Sequence, residues 1–408
     1  MDTFHIWRYR ILSALKIGAL SCAVGVCSGA VCAVFGRGLL LINNFRDAHQ
    51  MILIPLLPLL GLCIVFVYDK WGGGAEEGMN LVFAAEFDDG RTIPFRMVPL
   101  AVGATWLGHV GGASVGREGV ACQIGAVIGY TAGKLVKNKR LAQTFIIAGM
   151  AGGFAGLFRT PVAAVCFALE VMITGRLFYY ALVPTIIAAG SASAVSGLFG
   201  VTHEYSPLPD MGGTAVFTLP FVAKLTVLAL LFCAVGQLFA WLLKYCHERF
   251  QVRLPNKYKR VFIVGAVLSA LLFVAHRGRY AGLSFPITDA VFEGGAVFAY
   301  DWILKLLFTV VCLSAGFQGG ELTPLFIIGS AFGYVAAPLF GLPPLLGAAL
   351  GHGAVFGSAT NTLLAPIAIT GAVFGFQYTP LFAFVCAVAF YCNGNHSIYR
   401  LQRAATRW

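Results

Sequence analysis

Long apolar runs, broken by short polar stretches, fill the chain from end to end. Runs near the length of a membrane crossing lie at 11–42, 51–68, 98–115, 178–200, 218–243, 261–275 and 300–316. Shorter apolar pieces stand between them at 120–131, 141–155, 323–341, 362–374 and 380–392. A helix needs roughly 20 apolar residues to cross the hydrocarbon core. Backbone polar groups in lipid must be paired, so the pattern predicts helices. The runs are continuous and do not alternate, which excludes a closed barrel. Several short pieces are bounded by Gly or Pro and predict broken, re-entrant helices that enter the membrane and stop partway. The expected fold class is an all-α polytopic membrane protein.

Composition agrees. Of 408 residues, 59% are hydrophobic and 11% charged, where a soluble domain carries about 25% charge. The 49 glycines sit inside apolar runs, where small residues let helix backbones approach closely. The net charge of +11 is spread over short stretches beside the apolar runs: Arg8, Arg10 and Lys16; Lys134, Lys137, Lys139 and Arg140; Lys244 through Arg260; and Arg400, Arg403 and Arg407. No soluble basic face is left for a nucleic acid. Basic residues favour the cytoplasmic side, so both termini are expected there, in a multi-pass protein of the cell (inner) membrane. The first run is too long for a signal-peptide core and reads as a retained span. The 11 cysteines form no CxxC pair and read as small buried hydrophobes; no metal or cofactor is expected.

An offset of 204 residues, half the chain, superimposes a series of identities without gaps. Gly78 falls on Gly282, and Gly112 and Gly116 on Gly316 and Gly320. Ile124, Gly125, Gly129 and Tyr130 fall on Ile328, Gly329, Gly333 and Tyr334, and Gly149, Gly153 and Ala155 on Gly353, Gly357 and Ala359. Such repeats are typical of transporters, with the site at the repeat interface. The expected organisation is a first transmembrane half at 1–204 and a second at 205–408, without a further cytoplasmic C-terminal domain. If each half crosses an odd number of times, the halves are inverted and the termini share a side. The basic stretch at 244–260 is expected to be the cytoplasmic linker between them.

Three glycine-flanked stretches set polar groups at the mouth of an apolar helix: Gly78-Met79-Asn80, Gly116-Arg117-Glu118-Gly119, and Gly319-Gly320-Glu321-Leu322-Thr323-Pro324. Free N–H groups at such helix starts suit an anion. Pro324 fits a first helical turn. An ionisable group inside a membrane is a functional candidate, and Glu118 combines two properties. Its carboxylate can occupy an anion site, and protonation would empty that site, coupling proton to anion movement. The plain alternative is a solvated loop glutamate paired with Arg117. Glu321 is either an acid that meets a helix dipole or part of the same site. Thr323 either caps its helix or donates its hydroxyl to an anion. Met79 as core filler, Tyr399 as an interfacial anchor and Glu76 with Glu77 as a solvated pair are the ordinary readings. The role of Glu170, at the end of an apolar helix, is open.

These motifs resemble those of the CLC family of chloride channels and transporters. Gly116-Arg117-Glu118-Gly119, followed by Gln123-Ile124-Gly125, is similar to the family's G-R-E-G-P signature. Phe158-Arg159-Thr160-Pro161-Val162-Ala163 resembles F-N-A-P-L-A, Gly320 to Pro324 stands at G-x-F-x-P, and Gly78 to Val82 stands at G-S-G-I-P. Their order spans nearly the whole chain. The resemblance implies a CLC-type inverted repeat, a homodimer with one pathway per subunit, Glu118 as the gating glutamate and Tyr399 as a central-site hydroxyl. It also implies an anion path lined by Gly78, Met79, Asn80, Gly116, Arg117, Gly119, Gly320, Glu321, Leu322 and Thr323. Met79 replaces the signature serine, and Glu321 with Thr323 occupies the phenylalanine motif, a combination that resembles the fluoride-exporting branch of bacterial CLC proteins. Fluoride exported in exchange for protons is the activity this implies, with fluoride, protons and the lipid bilayer as partners. Val171 stands where family antiporters carry an inner proton glutamate, so Glu118 itself has to carry the proton inward. A chloride/proton antiporter and a passive chloride or fluoride channel are the alternatives. An intramembrane enzyme is not expected, since there is no HExxH and no G-x-S-x-G at a strand–helix turn.

Overall fold

The computed structural model describes residues 3–87, 90–136, 139–203, 205–209 and 218–405. The side chains of Arg8, Lys137, Lys139, Arg140 and Arg407 lie outside the described set, as does residue 204 at the expected half boundary.

The described chain is almost wholly helical. Its first part holds α1 (Thr3–Ala48), the short α2 (Gln50–Leu53), α3 (Leu57–Trp71), α4 (Met79–Glu86), α5 (Met97–Val110), α6 (Glu118–Gly133), α7 (Lys139–Phe158), α8 (Pro161–Glu170) and α9 (Leu182–Leu198). The second part holds α10 (Leu219–Arg253), α11 (Lys257–Val274), α12 (Phe285–Asp289), α13 (Asp301–Ala315), α14 (Leu322–Ala336), α15 (Pro344–Thr360), α16 (Leu364–Phe374) and α17 (Thr379–Tyr391). The strand content described is a two-residue parallel pair, Ile173–Thr174 with Arg403–Ala404. Among the described residues, six helical stretches are long and apolar enough to cross a membrane.

Several predicted boundaries move. The run at 98–115 becomes the 14-residue α5, after which residues 111–117 run non-helical and buried. Gly112, at φ +82, makes that turn, a backbone shape glycine adopts without steric cost. Conversely, the piece at 141–155 belongs to a 20-residue helix long enough to span. The basic stretch at 244–260 is not a linker between halves. Its first part is the last turns of α10, and Lys257 opens α11. Lys, Glu, Arg and Gln are good helix formers, so α10 runs on past its apolar segment until Pro255. Asn256 then caps α11, accepting from the Tyr258 and Lys259 amides at 3.0 and 3.1 Å. The cysteines are also less uniform than expected: Cys32 is buried, but Cys22 and Cys27 are exposed on α1.

The glycines explain how the core closes. A Cβ on Gly125 of α6 would fall 1.9 Å from the Gly149 carbonyl oxygen of α7. A Cβ on Gly329 of α14 would fall 2.1 Å from the Gly351 carbonyl oxygen of α15. Both helix pairs therefore touch backbone to backbone, which only glycine permits. The helix starts share one register as well. Met97 and Glu118 open α5 and α6, and Asp301 and Leu322, each 204 residues later, open α13 and α14. Gly116 and Gly320, also 204 apart, exchange both backbone hydrogen bonds, at 2.6 and 2.8 Å.

Candidate functional site

That glycine pair is the hinge of the site. It clamps the non-helical segments before α6 and α14 against each other, so the two helix N-termini open onto one place. Glu118, the first residue of α6, is fully buried there. Its Oε2 accepts from the Thr323 amide at 2.8 Å, from the Thr323 hydroxyl, and from the Arg117 amide at 3.2 Å. Its Oε1 makes no hydrogen bond among the described residues and faces the Arg117 Nε, 3.6 Å away. The Arg117 guanidinium lies over the Phe158 ring, 5.5 Å from its centroid, a cation–π contact that holds it in a dry place.

The solvated-loop reading of Glu118 is thereby excluded, and so is capping by Thr323. The N-cap of α14 is Glu321, without a side-chain cap bond, and the Thr323 hydroxyl points at the Glu118 carboxylate instead. Two amides left free at the starts of α14 and α6 and the Thr323 hydroxyl converge on one carboxylate oxygen. An anion replacing that oxygen would meet the same three donors.

A cavity of about 1110 Å³ approaches this point, lined among others by Gly78, Met79, Asn80, Gln123, Glu321 and Tyr399. Gly78, at φ +59, starts α4, and a Cβ there would press 3.1 Å from the Gln123 amide nitrogen. Tyr399 is 5% exposed, its ring packs 5.2 Å from that of Phe83, and its hydroxyl has no hydrogen-bond partner among the described residues. It is a lining residue of a deep cavity, not a surface anchor. Glu321 is half-buried beside Gly119, where a Cβ would come 3.3 Å from its Oε2. Gly116, Arg117, Glu118, Gly119, Gly320, Leu322 and Thr323 form the wall beyond the cavity rather than its lining.

A model of the voltage gated chloride channel family matches residues 60–394. The chain belongs to the CLC family. This multi-pass membrane CLC protein is 32% identical over 392 residues to a chloride/fluoride channel protein from Pseudomonas syringae pv. tomato, covering 94% of this chain and 86% of that one. It is 26% identical over 383 residues to the H(+)/Cl(-) exchange transporter ClcA of Vibrio cholerae, covering 85% of this chain and 79% of that one. A crystal structure of a CLC-type fluoride/proton antiporter superimposes with a TM-score of 0.94 at 44% identity, covering 97% of this chain and 99% of that one.

Two features of this CLC protein escape sequence reasoning. Glu170 is 5% exposed, and its carboxylate accepts from the amides of Leu363, Leu364 and Ala365. It therefore closes the start of α16, and Val171 beside it is wholly buried. Gly112-Ala113-Ser114-Val115-Gly116 does have the G-x-S-x-G spacing. Ser114 is buried with its Oγ 2.9 Å from the Lys305 ammonium and away from the cavity, so it does not face a substrate. Gln123 was legible as part of the stretch that follows the signature, and Lys305 only as a lone lysine in an apolar helix.

Proposed function

We propose that this protein exports fluoride in exchange for protons, with Glu118 as the group that alternates with the ion. The observation that carries the reading is the Glu118 carboxylate seated on the donors of Thr323 and Arg117, at the join of two helix N-termini. The crystal structure at 44% identity, described as a CLC-type fluoride/proton antiporter, supports fluoride as the ion.

In the arrangement seen, the ionised carboxylate is the anion in the site. Protonation removes its charge and weakens its hold on three donors that prefer an anion. The side chain then swings away and fluoride takes the amide of Thr323, its hydroxyl and the Arg117 amide. Fluoride is a small ion with a tightly held water shell, so several short, charge-assisted donors are what its desolvation requires. Deprotonation returns the carboxylate and expels the ion. Glu321, half-buried between the cavity and Gly119, supplies a further donor in its protonated form. Gly78, Met79, Asn80 and Tyr399 line the approach, and Met79 removes a hydroxyl donor from it. Val171 offers no inner proton site, and Glu170 is engaged on α16, so the proton travels on Glu118.

The same reading assigns two halves, 1–204 and 205–408, related by the twofold-like exchange of hydrogen bonds between Gly116 and Gly320. The resemblance to CLC proteins extends the reading to a homodimer with one pathway per subunit. Basic residues at the cavity mouth, among them Lys244, Arg260, Arg400 and Arg403, support a cytoplasmic opening of the inner-membrane protein, with both termini on that side.

A second reading, a channel that passes chloride and fluoride without protons, is favoured by the name of the Pseudomonas relative alone. Efflux from liposomes loaded with fluoride or chloride, with and without a proton ionophore, separates the two. The exchanger moves fluoride far faster than chloride and acidifies the lumen as it does so. Equal rates for the two halides, with no proton movement, would replace it with the channel.

A further inference from the structure

Lys305 lies in the second turn of α13 and is fully buried. Its ammonium donates to the Ser114 Oγ at 2.9 Å and the Gly282 carbonyl oxygen at 2.8 Å. No carboxylate stands within ion-pair distance of it among the described residues. The nearest acid on its own helix face, Asp301, is one turn away and already saturated. It accepts from Arg279 at 2.8 and 3.2 Å, from the Tyr280 hydroxyl at 2.6 Å and from the Phe298 amide at 2.9 Å.

A lone ammonium is unfavourable in dry protein unless an anion balances it. The segment it holds says which anion. Ser114 is two residues before Gly116, and its amide and hydroxyl are further tied to Cys312 Sγ and Thr309 Oγ1 of α13, both at 3.2 Å. Lys305 therefore grips the strand-like segment whose glycine pairs with Gly320 and whose next residues are Arg117 and Glu118. Ser114, which Lys305 holds, stands four residues before Glu118 in the chain. A second buried cation, Arg46, adjoins the same place. Its Nη1 donates to the His109 carbonyl at 3.3 Å, and a Cβ on Gly282 would fall 2.2 Å from it. Neither cation lines the cavity, so both lie in the wall of the site, out of the ion's approach.

We propose that Lys305 is a positioning residue for anion exchange. Its buried ammonium braces the turn that carries Glu118 and supplies positive potential at the Thr323 donors, where carboxylate and halide replace each other. This rests on the exchange reading above, but not on which halide is carried. The charge acts on whichever anion sits at the donors, so its loss weakens binding, and the rate at saturating ion changes less.

The test uses purified protein in liposomes and the halide that wild type carries. Lys305→Met is expected to raise the KM for that halide at least tenfold and to change the maximal rate less than threefold. Its thermal transition stays close to that of wild type. Since Lys305→Met alters packing as well as charge, Ser114→Asp and Ser114→Asn form a second pair that differs only by a charge beside the ammonium. The aspartate is expected to raise the KM at least tenfold above the asparagine. Equal KM values for Ser114→Asp and Ser114→Asn would overturn the proposal, as would a Lys305→Met protein with the wild-type KM. Wild-type protein that moves halide without protons contradicts the exchange reading instead, and this KM comparison stays readable.

Discussion

Two buried glutamates in this protein meet the start of a helix, and they are built for different ends. Glu170 accepts from three successive amides of one helix start. Its Oε1 takes the amides of Leu363 and Leu364, and its Oε2 those of Leu364 and Ala365 at 3.0 and 3.2 Å. Both oxygens are used, and the donors move as one rigid body, so nothing can replace the carboxylate without disturbing α16. Glu118 is held through one oxygen by donors from two segments, the α6 turn and α14, while its other oxygen has no hydrogen bond among the described residues. Burial and a helix N-terminus do not by themselves make a transport residue. The difference lies in whether the donors would serve an ion equally well after the side chain leaves.

The comparison breaks most visibly at Glu118. Glu118→Gln keeps the volume and loses the ionisable group, so proton-coupled halide flux is expected to fall at least a hundredfold, read by parallel halide and pH electrodes. The thermal transition in detergent stays near that of wild type. Thr323→Ala removes one donor from the shared oxygen; a hydrogen bond to a charged group contributes about 1.5–3 kcal/mol, so fluoride exchange should drop about tenfold or more, with folding intact. Glu170→Gln sharpens the contrast from the other side. Its amide turns donors toward donors, and stability should fall by about 2 kcal/mol, seen as a lower thermal transition. The folded fraction should still exchange halide within threefold of wild type. Tyr399→Phe deletes a hydroxyl without a partner among the described residues and should leave stability unchanged, shifting only the KM for halide, by about threefold. If Glu170→Gln abolished coupling and Glu118→Gln only lowered stability, the assignment of the two carboxylates would be reversed.

Much of this was legible in the chain itself. Helix mouths near Met79, Glu118 and Leu322 are signalled by the glycines before them: Gly78 takes a positive φ, which glycine adopts without steric cost, and Gly116 and Gly320 pair backbone to backbone. The 204-residue register shows in the sequence because the glycines of α6 and α14 each meet another backbone, a packing need that fixes residue identity. Other features were hidden for physical reasons. An apolar run does not record where it stops being helical once the chain is inside the protein, so α5 was read too long and α7 too short. The stretch at 244–260 looked like a linker because charge was taken as a sign of loop, whereas Lys, Glu and Arg extend α10 beyond its apolar part. Glu170 finds its donors at Leu363 to Ala365, and Lys305 its acceptors at Ser114 and Gly282. Contacts across such separations leave no local pattern to read.

The claim that one carboxylate alternates with fluoride by gaining and losing a proton is tested most directly by uphill transport. Liposomes containing wild-type protein, with equal fluoride on both sides and a pH gradient imposed across the membrane, are followed with a fluoride electrode. Fluoride should move against its own rising gradient, away from the side to which protons flow, and Glu118→Gln liposomes should show no such movement. A pH gradient that leaves fluoride at equilibrium in wild type, or that drives it equally in the glutamine variant, would contradict the account.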